Sequence, residues 1–324
     1  MAGETTQELR PEFKDETVAE ALATVSNSES RLKDLMAAAD TLVAYGALDE
    51  ADTAIARLEQ SGQQPSGLRR LKAASSQLRR SGILTSLRGI ASDDSERFRG
   101  PQEILVYRCD KPTDRVILVF TGRARRFWLS LQVLHQFLKP FDSHIIYLTD
   151  NSQSLYFNGL QSIGSGYDGT LEAIDRAIKD LRGTRVFVMA SSGGGFIGLR
   201  TAADLGAESF LGLSIRTNHA PDSTLPRVRR RRAVAPRRRV ADPKLRIDLR
   251  PYLAAKGYPR RGLLVSGDSN PADVAHADNL RGLPNFEFVQ LPGASEHNIV
   301  SVLLARRMFD GLLARFMGIG EGRE

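Results

Sequence analysis

Two adjacent serines, Ser191 and Ser192, stand between an apolar run and three glycines in the stretch Arg185–Arg200, RVFVMASSGGGFIGLR. Val186–Val188 reads as a strand, and an apolar segment of helical character begins at Phe196. A serine on a strand–turn–helix junction lies beside a helix N-terminus, whose free N–H groups favour negative charge. Acyl transfer needs that pairing: a hydroxyl nucleophile next to donors that hold an oxyanion. A sharp turn crowds the residues two before and two after the nucleophile, so both must be small. Ser192 is flanked by Ala190 and Gly194, whereas Ser191 has the bulky Met189 on one side. Ser192 is therefore the better nucleophile. A glycine-rich strand-to-helix turn of the phosphate-binding kind, with incidental serines, fits the same residues. It is not a Walker A loop, because the Gly-Lys-Ser/Thr ending is absent.

A serine nucleophile needs a general base and a group to orient it. The chain has five histidines. His135 lies in an apolar helical pattern and reads as packing, His144 begins a strand, and His219 and His276 read as surface residues. His297 sits in Pro292–Asn298, PGASEHN, after the last strand and before the last helix. That places it on the sheet edge where Ser192 is expected. For the acid, Asp268 directly follows the strand ending in Ser266-Gly267 and is preferred by position. Asp273, five residues later at a helix start, is a rival that could equally be an N-cap.

The elements that must position these groups run from Glu103 to Met317. Strands are expected at Ile104–Arg108, Val116–Phe120, His144–Leu148, Val186–Met189, Phe210–Ile215, Leu263–Val265 and Phe286–Leu291. Helical spacing appears at Phe127–Leu138, Leu171–Leu181, Ile197–Leu205, Ala272–Leu280 and Ile299–Met317. Alternation of this kind predicts an α/β domain over 101–324, with a mostly parallel sheet covered on both faces. Its parallel strands would end on one common edge, where sites form.

The order Ser192, then Asp268 or Asp273, then His297 resembles the α/β-hydrolase superfamily. With DNSQSLYFNGLQSIG and DVAHADNL, the chain is similar to bacterial α/β-hydrolase-like proteins. The resemblance implies that Ser192 attacks a carbonyl, that His297 takes its proton and that the Asp orients His297. It also implies an oxyanion hole, with one donor at Gly193 and another at Gly122 or Arg123, in the loop after Val116–Phe120. No metal or organic cofactor is required by such a mechanism. The sequence departs from the pattern at Ala190, where Gly is usual, and at the Arg-rich FTGRARRF. Water or another acceptor could complete the reaction. A different class, a non-catalytic interaction protein on the same fold, fits the binding features described next.

The net charge of +7 is unevenly placed. Residues 1–60 carry thirteen acids against five bases, and residues 227–250 carry eleven bases against two acids. The high charge belongs to one segment, so a nucleic-acid role for the whole chain is unwarranted. Residues 1–60 read as an acidic helical hairpin, with a break at Gly46. LVAYGALDEADTAIARLEQ resembles one tetratricopeptide unit, which would have to pack on the chain or on a protein partner. Residues 61–100 read as a linker holding one short amphipathic helix. The insert 222–250 holds Arg229, Arg230, Arg231, Arg232, Arg237, Arg238 and Arg239. It reads as a solvated loop or as a platform for an anionic surface or polyanion. Arg123, Arg125 and Arg126, if turned to the pocket, favour a small acylated substrate that is anionic. The acidic polar N-terminus is no secretory signal, no apolar run spans a membrane, and Cys109 is the single cysteine. These point to the cytoplasm, with an anionic membrane surface as a candidate contact.

Overall fold

The computed structural model describes residues 16–63, 65–82, 102–226 and 245–319. The seven arginines from Arg229 to Arg239 named above lie outside the described residues. The described residues form two compact units: those of 16–82 with 129–137 and 304–307, and the remainder.

In the smaller unit, helices α1 (Glu16–Ser26), α2 (Leu32–Ala44), α3 (Leu48–Gln60) and α4 (Leu68–Arg80) bury one apolar face each. Leu35, Leu42 and Val43 of α2 meet Ala51, Ile55 and Leu58 of α3, all at helical spacing and all buried. The unit holds more than a hairpin. α1 packs on α2. The helix expected inside a linker packs on α3, burying Leu68, Leu71, Ala74 and Leu78. Its outer edge is tied to α3 by Ser75 Oγ donating to Asp52 (2.8 Å) and by Arg79 reaching Asp49 and Asp52.

The larger unit is built on seven strands: β1 (Ile104–Tyr107), β2 (Arg115–Phe120), β3 (His144–Leu148), β4 (Arg185–Ser191), β5 (Ser209–Leu213), β6 (Gly262–Gly267) and β7 (Phe286–Leu291). Their order across the sheet is β1-β3-β2-β4-β5-β6-β7. Only β1 runs antiparallel, against β3, and every other pairing is parallel. Strands β2 to β6 are almost wholly buried, as strands covered on both faces must be. One face carries Leu118, Phe120, Ile146, Val188, Ala190 and Phe210, in a core that includes Ile174, Ile178, Phe196, Leu199 and Leu253. On the other face the Phe187 ring meets Phe316 edge-on, with centroids 5.8 Å apart. The mostly parallel, doubly covered sheet read from the sequence is present.

The remaining helices are α5 (Leu131–Leu138), α6 (Gly166–Asp180), α7 (Gly195–Asp204), α8 (Leu249–Lys256), α9 (Pro271–Asp278), α10 (Ile299–Ala305) and α11 (Phe309–Phe316). Several differ from expectation, among them α6, which starts at Gly166 rather than Leu171. α5 starts at Leu131 rather than Phe127, because Trp128 takes a left-handed φ of 61° and Ser130 Oγ then accepts from Val133 N–H. The expected single C-terminal helix is broken at Arg307, whose φ is 58°. The end of the Arg-rich insert is ordered: Asp248 caps α8 by accepting from Arg250 N–H (2.9 Å), which buries Leu249 and Leu253. No helix among the described residues is long and apolar enough to cross a membrane.

Candidate active site

β4 ends at Ser191 in extended backbone, with φ −129° and ψ 140°. The next residue, Ser192, is forced to φ 47°, a region that L-residues other than Asn and Asp seldom occupy. A short turn, Ser192–Gly194, then feeds α7. This reversal separates the two serines. Ser191 Oγ lies 3.5 Å from where a Cβ on Gly122 would stand. Ser192 Oγ instead lies 2.7 Å from His297 Nε2.

The small flanks have clear causes. A Cβ on Gly194 would come within 2.5 Å of the Thr121 carbonyl oxygen and 2.9 Å of that of Phe120. Ala190 faces α7, where a Cβ on Gly198 would stand only 2.7 Å from the Ala190 Cβ. The turn therefore packs tightly against β2 and against its own helix. Alanine at 190 is compatible with it because glycine at 198 leaves the room.

His297 also contacts Asp273. Its Nδ1 is 2.9 Å from Oδ1 and 3.0 Å from Oδ2 of that carboxylate. Nδ1–H donating to the carboxylate leaves Nε2 with a lone pair for the Ser192 hydroxyl, so one tautomer satisfies both bonds. Asp273 is 5% exposed and the His297 side chain 34% exposed. The buried carboxylate thus faces an imidazole that opens toward solvent.

The preference for Asp268 gives way here. β6 continues to Gly267, and Asp268 N–H donates to the Leu291 carbonyl as an extension of the sheet (3.2 Å). The Asp268 carboxylate then accepts from Gly293 N–H at 2.7 Å and from Ser269 Oγ at 2.8 Å. It belongs to a seam that joins residues 268–270 to 291–295, continued by Ser269 N–H to the Ala294 carbonyl and Asn270 Nδ2 to the Ser295 carbonyl. Asn270 also starts α9, its Oδ1 accepting from Asp273 N–H (3.3 Å) with Pro271 at the first helical position. Asp273 is therefore fixed in the first turn of a capped helix, and the same asparagine holds the loop that carries His297.

The other histidines do not join this group. His135 is buried, as its apolar surroundings suggested. His144 begins β3 and accepts a hydrogen bond from Cys109 N–H at Nδ1. His219 meets Phe157 and Phe196 edge-on. His276, read as surface, is buried. Its Nδ1 accepts from Thr217 N–H and its carbonyl from Thr217 Oγ1 (2.7 Å). Burial pushes its pKa down to about 4, with the Arg216 charge acting in the same direction.

Opposite the turn lies the loop after β2. Gly122 N–H donates to the Arg126 carbonyl (3.1 Å) and Arg125 N–H to the Gly122 carbonyl (3.0 Å), closing the loop on itself. The Gly122 N–H is thus engaged internally. The Arg123 nitrogen lies 3.5 Å from the Cβ position of Gly193. Of the two expected loop donors, the Arg123 N–H has no hydrogen bond among the described residues.

The sequence reading missed one neighbour. Leu155 Cδ2 stands 2.9 Å from the same Gly193 Cβ position. Gln153, Leu155 and Tyr156 all have φ between 54° and 62°. The buried Asp150 holds this loop, its carboxylate accepting from Ser152 N–H, Ser152 Oγ and Tyr156 N–H. Tyr156 OH then donates to the Leu148 carbonyl at 2.7 Å, and burial raises its pKa. The alternation of Asp150, Ser152 and Ser154 was the available signal for such a self-bonded loop.

No protein-family model and no curated protein matches the chain. Among solved structures, the chain is similar to MenH from S. aureus, at 15% identity over 67% of this chain and 98% of that one, with a TM-score of 0.45. It is also similar to EstE1, a thermophilic carboxylesterase cloned from a metagenomic library, at 13% identity over 66% and 83%, with a TM-score of 0.41. FphF, a fluorophosphonate-binding serine hydrolase of Staphylococcus aureus, shares 16% identity over 64% and 90%, with a TM-score of 0.41. With a single antiparallel edge strand, the strand order β1-β3-β2-β4-β5-β6-β7 and a strained serine turn after β4, the larger unit has the α/β-hydrolase fold.

Proposed function

We propose that the chain is a serine hydrolase that cleaves an ester or related acyl bond through an acyl-enzyme on Ser192. The observation that carries this reading is the continuous hydrogen-bonded line from Ser192 Oγ through His297 to Asp273, with links of 2.7 and 2.9 Å. Ser192 Oγ attacks the carbonyl carbon while His297 Nε2 takes its proton. Asp273 holds the imidazole in the required tautomer and offsets the imidazolium charge. The Gly193 and Arg123 N–H groups receive the developing oxyanion. His297 then gives the proton to the leaving alcohol as the carbon–oxygen bond breaks. A water, deprotonated by His297, attacks the acyl-enzyme. The acid leaves, and Ser192 recovers its proton. The left-handed Ser192 backbone supports the reading, since strain there is offset by the surrounding packing and serves to aim the hydroxyl.

The test is labelling with a fluorophosphonate probe. The intact protein is expected to label and Ser192→Ala to remain unlabelled, with Ser191→Ala still labelling. No labelling of folded protein, or loss only on Ser191→Ala, would reject the assignment and turn attention to what the chain binds.

A further inference from the structure

We propose that the substrate carries a carboxylate close to its scissile carbonyl and that the Arg123 guanidinium receives it. This rests on the serine hydrolase reading and adds the substrate class to it. An acyl carbonyl attacked by Ser192 directs its oxygen between the N–H groups of Gly193 and Arg123. The Arg123 side chain leaves from that same residue, and its Cβ lies 3.9 Å from the Gly193 Cβ position. The charge is carried on a stem that starts beside the turn.

Among the described residues that charge is uncommitted. Arg123 is exposed and makes no hydrogen bond or ion pair among the described residues. Some other guanidiniums of the chain are neutralised: Arg79 by Asp49 and Asp52, Arg281 by Asp278 and Arg315 by Glu287. Arg125 and Arg126, its loop neighbours, are each engaged in contacts of their own. The closed loop, with Gly122 N–H bonded to the Arg126 carbonyl, fixes the base of the Arg123 stem against the turn. Leu155 borders the same turn with an apolar side chain. A guanidinium matches a carboxylate with two parallel N–H bonds, and one cation balances one carboxylate. A phosphate dianion would leave charge over.

Two measurements test the assignment. The first compares kcat/KM for p-nitrophenyl hemisuccinate and p-nitrophenyl butyrate, which have equal chain length and differ in a terminal carboxylate or methyl. The intact protein is expected to favour the anionic ester about tenfold, the worth of one charge-assisted contact. The preference should shrink with added salt. It should vanish in Arg123→Gln and return in part in Arg123→Lys. Equal rates in the intact protein, or a preference that survives Arg123→Gln, overturns the proposal. The second titrates succinate calorimetrically into the Ser192→Ala protein, with and without Arg123→Gln. Binding that depends on Arg123 is expected. Absent binding, or binding indifferent to Arg123, also overturns it. If neither ester turns over and no fluorophosphonate label appears, the hydrolase reading fails, and the succinate titration decides on Arg123 by itself.

Discussion

Replacing Asp273 by asparagine should cost far more than the same change at Asp268, although both follow the same strand. Asp273 offers both carboxylate oxygens to His297 Nδ1, at 2.9 and 3.0 Å, from a position 5% exposed. An asparagine there either turns its NH2 group toward Nδ1 or keeps the bond without the charge. In the first case the imidazole takes the other tautomer, with Nε2–H facing Ser192, and cannot accept the serine proton. In the second, the imidazolium formed in the transition state loses its counter-charge where water screens little. By the behaviour of such triads kcat should fall roughly 10⁴-fold, equivalent to about 5.5 kcal/mol of barrier. KM should hold, because Asp273 does not touch substrate. Asp268 accepts hydrogen bonds from Gly293 N–H and Ser269 Oγ, which an asparagine oxygen can also accept. Asp268→Asn should therefore stay within about tenfold of the intact protein. The assay is steady-state hydrolysis of a p-nitrophenyl ester, with thermal melting to show that both variants are folded. Comparable losses in kcat, or a larger loss at Asp268, would refute the geometry as the source of the acid's role.

Three further outcomes follow from particular contacts. Gly194→Ala should unfold more readily and lose activity, since its Cβ would meet backbone oxygens at 2.5 and 2.9 Å that cannot turn aside; an unchanged melting temperature would contradict this. Tyr156→Phe removes the hydroxyl bonded to the Leu148 carbonyl (2.7 Å) and should lower unfolding free energy by about 1–2 kcal/mol in urea, where no change would mean the hydroxyl is dispensable. His276, with its pKa pushed down to about 4, is neutral in the folded protein, while the unfolded chain binds its proton near pH 6.5. Stability should fall as pH drops from about 6.5 toward 4, by up to roughly 3 kcal/mol, and level off below. Urea unfolding at several pH values should show that slope flattened in His276→Asn, and an identical slope would assign it to other groups.

Much of the larger unit was readable because its strands are short apolar runs separated by helical periods. β2 to β6 are nearly all buried, so their hydrophobic character is continuous and their limits are sharp. The edge strand β7, with Glu287 and Gln290 exposed, still reads through Phe286, Phe288 and Leu291. Boundaries slipped where one residue's backbone decided them: Trp128 and Arg307 in left-handed conformations shortened one helix and divided another. α8 was hidden beside the Arg cluster because only Leu249 and Leu253 bury in it, too few for a period to stand out. The fourth helix of the smaller unit showed its amphipathic spacing plainly. What it packs on was not written in that spacing.

The sequence by itself determined the chemistry on offer: a serine between small residues at a strand–helix junction, and a histidine in the loop after the last strand. These follow from local sterics and from chain order, which a one-dimensional pattern carries. It left two aspartates as candidates for the acid. Only the tertiary structure shows which of them meets His297, because that depends on where β6 stops and how Asn270 caps α9. Counting residues from a strand end ranks Asp268 first, but hydrogen bonding across to β7 and the loop after it engages that carboxylate. The helix that follows carries Asp273 to His297. The two candidate loop donors are told apart in the same way. Gly122 and Arg123 are neighbours in sequence, yet a turn closed by the Arg126 carbonyl takes up the first N–H, while the Arg123 nitrogen stands 3.5 Å from the Gly193 Cβ position. Residue type sets what a group can do, and three-dimensional hydrogen bonding sets which group is free to do it.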